Sequence, residues 1–172
     1  MYKRQLINRH PHVFNNVDLD MSQFEKTWEE LKRDEKGETS ITSGLKRIPN
    51  HLPALIKAEK IQHKAALIGF DWDDIKDVFE KIEEEYKELL DECKQGNIKY
   101  IKEELGDLLF SIVNLARFLH IDSEEALNLT NQKFINRFEF MEENASKLHK
   151  KLEDLTLDQM EELWQSAKKN KL

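Results

Sequence analysis

The chain has 172 residues, enough for one ordinary domain and an appendage. Hydrophobic residues make up 39% and charged residues 35%, with 5 Gly and 3 Pro, a composition typical of amphipathic helices and poor in the turn residues of sheet proteins. A net charge of -7 argues against binding to a nucleic-acid polymer. No apolar run reaches the roughly 20 residues of a membrane span. With one cysteine and no signal peptide, the composition predicts an all-α, cytoplasmic protein without membrane contact.

Predicted helices follow one another along the whole chain. Capping boxes at Ser22 with Glu25 and at Thr156 with Gln159 mark helix starts, and Gly96 marks a helix end. Between these signals, apolar residues recur at the three- and four-residue spacing of amphipathic helices. The predicted helices cover about 22–36, 53–68, 74–95, 98–120, 122–148 and 157–170.

Composition and an internal repeat divide the chain into three parts. Residues 37–52 collect Gly, Ser, Thr and Pro, which is typical of a linker. Residues 17–32 resemble residues 155–169, which indicates a duplicated domain. We therefore interpret residues 1–36 as the tail of a preceding, truncated repeat domain and residues 53–172 as the main domain.

Two acidic pairs border the apolar stripes of consecutive predicted helices. Glu85 and Glu88 lie three residues apart in one helix, and Glu104 and Asp107 in the next, so each pair shares a helix face. Antiparallel packing of the two helices would bring the four carboxylates together. Clustered charges repel one another in a low dielectric unless a cation neutralises them. Oxygen ligands favour Mg²⁺, with Mn²⁺ as the alternative ion.

Two uncharged residues on the same predicted helix support this hypothesis. Gly106 lies between Glu104 and Asp107 and allows another helix or a ligand to approach the backbone. Asn114 continues the same row of side chains and can hydrogen-bond a water or a substrate hydroxyl. The competing interpretation is that pairs of this kind, in a chain with 34 acidic residues, lie on a solvated face.

Four segments resemble the MazG family of nucleoside triphosphate pyrophosphohydrolases. They are KIEEEYKELLDE (81–92), EELGDLLFSIVNLARF (103–118), NQKFINRF (131–138) and EELWQSAKK (161–169). The likeness covers about residues 46–170. It implies an all-α helical bundle, an intertwined homodimer, that hydrolyses a nucleoside triphosphate to the monophosphate and pyrophosphate with Mg²⁺.

The resemblance also implies roles for individual residues. The metal-binding motif falls on Glu85, Glu88, Glu104 and Asp107, and we assign Glu85 or Glu88 as the catalytic base. The basic residues that contact phosphates fall on Lys133 and Arg137. The predicted substrate-binding residues are Lys81, Asn114, Lys133, Arg137, Trp164 and Lys168.

Two alternatives stay open at this point. One is a helical interaction module that has lost catalysis, and the other is a nucleotide-selective dUTP or dCTP pyrophosphatase. The homodimer is also predicted from apolar residues that a single protomer would leave partly uncovered. These residues are Phe110, Ile112, Val113 and Phe118.

Overall fold

The computed structural model describes residues 40–170 of the chain. Within this range the protein is all-α, without a strand, which confirms the predicted fold class. The helices are α1 (Ile41–Lys46), α2 (Ala54–Ala66), α3 (Ile75–Gln95), α4 (Ile98–Phe118), α5 (Ser123–Lys147) and α6 (Leu157–Lys169). A 3-10 turn, Leu152–Asp154, lies between the last two helices. The helix predicted at 22–36 and the repeat tail at 1–36 lie outside the described residues.

The segment predicted as a linker contains the short helix α1. Ser40 caps this helix, since its hydroxyl accepts a hydrogen bond from the Ser43 backbone N–H at 3.1 Å. The Ser43 hydroxyl in turn accepts from the Ser40 backbone N–H at 3.3 Å. This reciprocal capping satisfies two N–H groups that a helix start leaves unpaired, and the serines that suggested a linker serve here as caps.

The chain divides into two compact units between His120 and Ile121. In the described part of the first unit, 40–120, helix α4 packs against both α3 and α2. In the described part of the second unit, 121–170, helix α5 packs against α6 and the 3-10 turn. The predicted domain, 53–172, includes residues of both units, and its boundaries stay a prediction.

A tight connection makes α3 and α4 an antiparallel pair. Gly96 ends α3 in the left-handed conformation, with φ of 75°, which glycine adopts without steric cost. Asn97 follows at once as the cap of α4, and its side chain accepts from the Lys99 backbone N–H at 3.1 Å. With so short a turn, the two helices must run back along each other. The acidic pairs of both helices therefore belong to one hairpin.

Within residues 40–170, each unit has its own buried apolar side chains. Val78 and Val113 are buried between the helices of the first unit, and Met141, Ala145 and Ala167 are buried in the second. The prediction that Val113 is uncovered was wrong, because it lies on the side of α4 that the other helices cover. Phe110 and Ile112 are exposed, as predicted.

Apolar stripes remain exposed on both helices of the hairpin. On α4, Leu105, Leu109 and Ile112 follow one another at helical spacing. On α3, the exposed apolar residues are Phe79, Tyr86 and Leu90. Across residues 40–170, no helix is both long and apolar enough to cross a bilayer.

Candidate metal and nucleotide site

Three carboxylates from the two helices of the hairpin converge. Glu85 and Glu88 on α3 and Glu104 on α4 each offer an oxygen atom, and these atoms all lie within 4.8 Å of one another. Glu85 is buried, Glu104 is half-buried and Glu88 is exposed, so the cluster spans the edge of the hairpin. The spacing of three residues places the α3 pair on one face, and the packing of α4 on α3 supplies the third member.

Asp107 lies outside this group of three. Its side chain is exposed one helical turn after Glu104, and it does not join the atoms that lie within 4.8 Å. Three of the four carboxylates predicted to converge therefore do so, and Asp107 lies at the margin of the group. Its charge nevertheless acts on the group, since it helps to raise the pKa of Glu104.

The pKa of Glu104 is raised above its ordinary value, first by desolvation and then by its acidic neighbours. The neighbouring charges are those of Glu88, Asp107, Glu85 and Glu92. The folded protein thus disfavours the ionised carboxylate at this position. A divalent cation bound by oxygen ligands would relieve this repulsion, so the residues present fit a hard ion such as Mg²⁺.

Glu92 was missed by the sequence analysis. It lies seven residues after Glu85, hence two helical turns along the same face of α3. One of its carboxylate oxygens accepts from Gln95 at 3.3 Å, whereas Oε2 is buried without a partner. The seven-residue spacing was available in the sequence, but only the fold shows that its charge reaches Glu104.

Lys81 lies one turn before Glu85 on α3 and pairs with the acidic residues there. Its Nζ is 2.7 Å from Glu85 Oε1 and 3.0 Å from Glu84 Oε1. These hydrogen bonds, with Glu85 first, raise the pKa of Lys81 above its ordinary value. The side chain predicted to bind substrate thus neutralises a buried carboxylate of the acidic cluster.

Gly106 faces open space. A Cβ atom at this position would meet no atom within 4 Å. Among the described residues of the first unit, 40–120, no helix approaches the backbone at Gly106. Approach by a ligand or by a second protomer stays a prediction.

Asn114, also predicted to bind substrate, is buried on α4 with 5% of its surface exposed. Its Oδ1 accepts from Arg117 Nε at 2.9 Å, while its Nδ2 is buried and has no partner among residues 40–170. Arg117 also donates to both carboxylate oxygens of Asp71, at 2.9 and 2.5 Å. Sequence analysis identified neither Arg117 nor Asp71, because 46 residues separate them.

Gln62 of α2 contacts the same turn of α4. It is 6% exposed, and its Nε2 donates to the backbone carbonyl of Phe110 at 2.7 Å. Its Oε1 is buried without a partner. Phe110 and Asn114 are one helical turn apart on α4. The amide groups of Gln62 and Asn114, each with one unpaired atom, therefore lie at the same level of this helix.

The second unit holds the remaining predicted substrate-binding residues. The guanidinium carbon of Arg137 lies 5.2 Å from the centre of the Trp164 ring, which is the geometry of a cation–π contact. Phe134 lies 5.1 Å from the same ring and stacks on Phe138 at 4.8 Å. Lys133 and Lys168 are exposed. Trp164 and Arg137 thus belong to one aromatic cluster of α5 and α6.

Comparison with known proteins agrees with the resemblance. Residues 74–141 match the family described as the MazG nucleotide pyrophosphohydrolase domain. The chain is 46% identical over 95% of its length to the nucleoside triphosphate pyrophosphohydrolase/pyrophosphatase MazG of Thermotoga maritima, covering 62% of that protein. It is 39% identical over 98% of its length to the nucleoside triphosphate pyrophosphohydrolase of Escherichia coli K12, covering 65% of it.

A third relative is the uncharacterized protein YabN of Bacillus subtilis, which is 44% identical over 95% of this chain. The chain covers 34% of that protein, and it spans less than two thirds of each of the other two relatives. The region matched by the family model contains the acidic hairpin and most of α5. Residues 74–141 thus carry the MazG nucleotide pyrophosphohydrolase domain, and the chain is similar to MazG proteins over most of its length.

Proposed function

We propose that this protein hydrolyses nucleoside triphosphates to nucleoside monophosphates and pyrophosphate, with Mg²⁺ as cofactor and Mn²⁺ as the alternative. The observation that carries the proposal is the group of Glu85, Glu88 and Glu104, whose oxygen atoms lie within 4.8 Å of one another. Two curated relatives are named for this activity, which supports the same reaction class.

The acidic residues would hold the cation. We assign Glu85, Glu88 and Glu104 as its ligands and Asp107, at the margin of the group, as the fourth. A bound ion would supply charge neutralisation at the phosphate oxygens and would lower the pKa of a water molecule. Both effects address the main difficulty of phosphoryl transfer, which is the approach of a nucleophile to a negatively charged group.

Glu88 is the better placed of the two candidate bases. Lys81 engages Glu85 Oε1 at 2.7 Å, whereas Glu88 is exposed and open to an incoming water. A carboxylate oxygen of Glu88 would accept the proton of the attacking water, and the acidic hairpin would orient that water toward the phosphate chain. Lys81, paired with Glu85 at 2.7 Å, would offset part of the negative charge of the acidic group.

Positive charge and an aromatic ring are available for the nucleotide. Lys133 and Arg137 lie four residues apart on α5, and Lys168 lies on α6. We propose that they contact phosphate oxygens, with Arg137 oriented by its contact with Trp164 at 5.2 Å. Asn114 would contact the substrate from α4. The exposed position of Lys133 and Lys168 supports a role toward a ligand.

We also propose that the protein is a homodimer. The stripe of Leu105, Leu109 and Ile112 on α4 and the apolar residues of α3 are exposed on the hairpin. An apolar stripe of this kind favours association, and a symmetric contact between two copies would bury the same face of each. A cytoplasmic location stays a prediction from composition.

The decisive experiment measures pyrophosphate release from a panel of ribo- and deoxyribonucleoside triphosphates, including dUTP and dCTP, with Mg²⁺ or EDTA. The wild-type chain is compared with Glu104→Gln, which keeps the side-chain shape and removes one ligand charge. Glu103→Gln is the matched control, because Glu103 is the exposed neighbour on the same helix. We expect Mg²⁺-dependent release that only Glu104→Gln abolishes.

Other outcomes would select the alternatives. Release from dUTP or dCTP alone would indicate the nucleotide-selective pyrophosphatase. A folded wild-type protein that releases no pyrophosphate from any nucleotide would contradict the proposed activity and favour the interaction module.

A further inference from the structure

The hydrogen bonds of Arg117 determine which way the Asn114 amide faces. A guanidinium group has donors and no acceptor, so only the carbonyl oxygen of the amide can face Arg117 Nε. That contact is present at 2.9 Å. The NH₂ group of Asn114 must therefore point away from Arg117, and it is this group that is buried without a partner.

Asp71 holds the guanidinium group in place. Both of its carboxylate oxygens accept from Arg117, at 2.9 and 2.5 Å, and the Arg117 side chain is 12% exposed. A bidentate pair fixes the plane of the guanidinium group, and with it the direction of the Nε–H bond. The loop before α3 thus controls the orientation of an amide on α4.

The unpaired NH₂ group indicates a missing acceptor. Buried polar groups in folded proteins are nearly always hydrogen-bonded, and a buried donor without a partner is costly. Asn114 lies seven residues after Asp107, about 10 Å farther along the helix that carries part of the acidic cluster. This distance separates it from the groups assigned to the cation and suits the nucleoside end of a nucleotide rather than its phosphates.

Charge supports the same assignment. Arg117 is the cation beside Asn114, and its charge is compensated by Asp71. A neutral amide donor beside a compensated ion pair is suited to a neutral acceptor, such as a base carbonyl, a ring nitrogen or a sugar hydroxyl. A phosphate group is instead bound best where positive charge is uncompensated.

We propose that Arg117 and Asp71 are positioning residues that hold the Asn114 amide with its NH₂ group presented to a hydrogen-bond acceptor on the nucleoside part of the substrate. The proposal rests on the proposed function. The competing explanation is internal: Gln62 Oε1 is also buried without a partner, and a water molecule bridging it to Asn114 would satisfy both amides without a ligand.

Two conservative variants test the proposal. Asn114→Asp keeps an acceptor toward Arg117 and replaces the NH₂ donor by an oxygen. Arg117→Lys keeps a cation near Asp71 and removes the fixed Nε donor. Steady-state pyrophosphate release is measured with natural nucleotides, with purine analogues that lack individual base acceptors, and with 2′- and 3′-deoxy nucleotides. These sets separate a base acceptor from a sugar acceptor.

For natural nucleotides we expect Asn114→Asp to raise KM by about 10- to 100-fold with little change in kcat. Arg117→Lys should raise KM less, and the double variant should be no worse than Asn114→Asp alone, because Arg117 acts through Asn114. For the analogue that lacks the recognised acceptor, the wild type should have a higher KM than for the natural nucleotide. Each variant should have the same KM for the analogue as for the natural nucleotide.

Equal effects of Asn114→Asp on every nucleotide and analogue, or additive effects of the two substitutions, would overturn the proposal in favour of a structural role with Gln62. Calorimetric binding of non-hydrolysable analogues of the same nucleotides repeats the comparison without turnover. A wild-type protein that binds them with the expected differences but releases no pyrophosphate would contradict only the proposed function. Thermal unfolding of each variant identifies loss of the fold.

Discussion

The ammonium group of Lys81 lies 2.7 Å from the carboxylate of Glu85, one turn farther along α3, and neutralises the most buried acid of the cluster. A cation bound at Glu85 would add to or replace the neutralising charge of Lys81, so we expect the pair to couple protein stability to metal binding. The Lys81 side chain is partly exposed, which weakens the ion pair relative to a fully buried one.

Replacing Lys81 by Met should destabilise the metal-free protein by about 1 kcal/mol, less than a fully buried pair would lose. The buried carboxylate of Glu85 then loses its ion pair with Lys81. Thermal unfolding in EDTA measures this loss, and Mg²⁺ should reduce it. Lys94→Met is the matched control, since its ion pair with Asp91, at 2.6 Å, is exposed on both sides. Equal losses in the two variants would contradict the prediction.

Replacing Glu104 by Gln should stabilise the protein in EDTA and weaken its stabilisation by Mg²⁺. The raised pKa of Glu104 means that the folded state disfavours its charge, so a neutral side chain removes an unfavourable electrostatic interaction. The same change should lower pyrophosphate release by about 100-fold or more, the scale for one electrostatic group in an active site. Melting temperatures of Glu104→Gln and of Glu103→Gln, with and without Mg²⁺, test both predicted effects on stability. A destabilised variant in EDTA would argue against the predicted stabilisation.

Gly106→Ala should raise the free energy of unfolding by about 1 kcal/mol, because alanine favours the helix and its Cβ meets no atom of the described residues within 4 Å. If a ligand or a second protomer approaches this backbone, the same variant should lose activity or dimerise less. Chemical denaturation and pyrophosphate release are measured together. Gly96→Ala is the contrasting control and should destabilise, because φ is +75° there. Full activity and unchanged dimerisation in a stabilised Gly106→Ala variant would show that neither a ligand nor a second protomer approaches this backbone.

Leu109→Lys should shift the protein from dimer to monomer, since it places a charge in the middle of the exposed stripe on α4. Light scattering across a dilution series measures the change. Leu157→Lys serves as the control, because Leu157 is 79% exposed on α6, outside the hairpin stripe. A wild-type protein that is monomeric throughout would refute the dimer.

Arg137→Gln should raise KM for nucleoside triphosphates by about 10- to 100-fold, through loss of a charge-assisted contact to phosphate. Arg137→Lys should recover only part of the loss, because lysine keeps the charge but not the planar group that stacks on Trp164 at 5.2 Å. Initial rates over a range of substrate concentrations give KM and kcat separately. Lys147→Gln, near the far end of α5, is expected to be neutral.

Local patterns predicted much of the first unit. The spacing of apolar residues predicted α3 and α4 closely, at 74–95 and 98–120, and the three-residue spacing placed Glu85 with Glu88 on one face. Such features depend on the regular geometry of a single helix, which the sequence alone specifies. The spacing within each helix did not predict that Asp107 lies outside the group that contains Glu104, because the distance between side chains of two helices depends on how the helices pack.

Long-range pairs were not predictable in the same way. Asp71 and Arg117 are 46 residues apart, and neither belongs to a local motif that names the other. Val113 was misplaced for a related reason, since which part of a broad apolar face is covered depends on the neighbouring helices. Ser40 and Ser43 show the reverse case, in which residues typical of a linker cap a helix.

The sequence by itself determined the all-α class, the approximate limits of the longer helices and the resemblance to the MazG family, because helical periodicity, capping residues and family motifs are local properties of the chain. The tertiary structure alone decided which three carboxylates meet and which atom of Asn114 remains unpaired. These depend on distances between helices, and packing sets those distances through many side chains acting together.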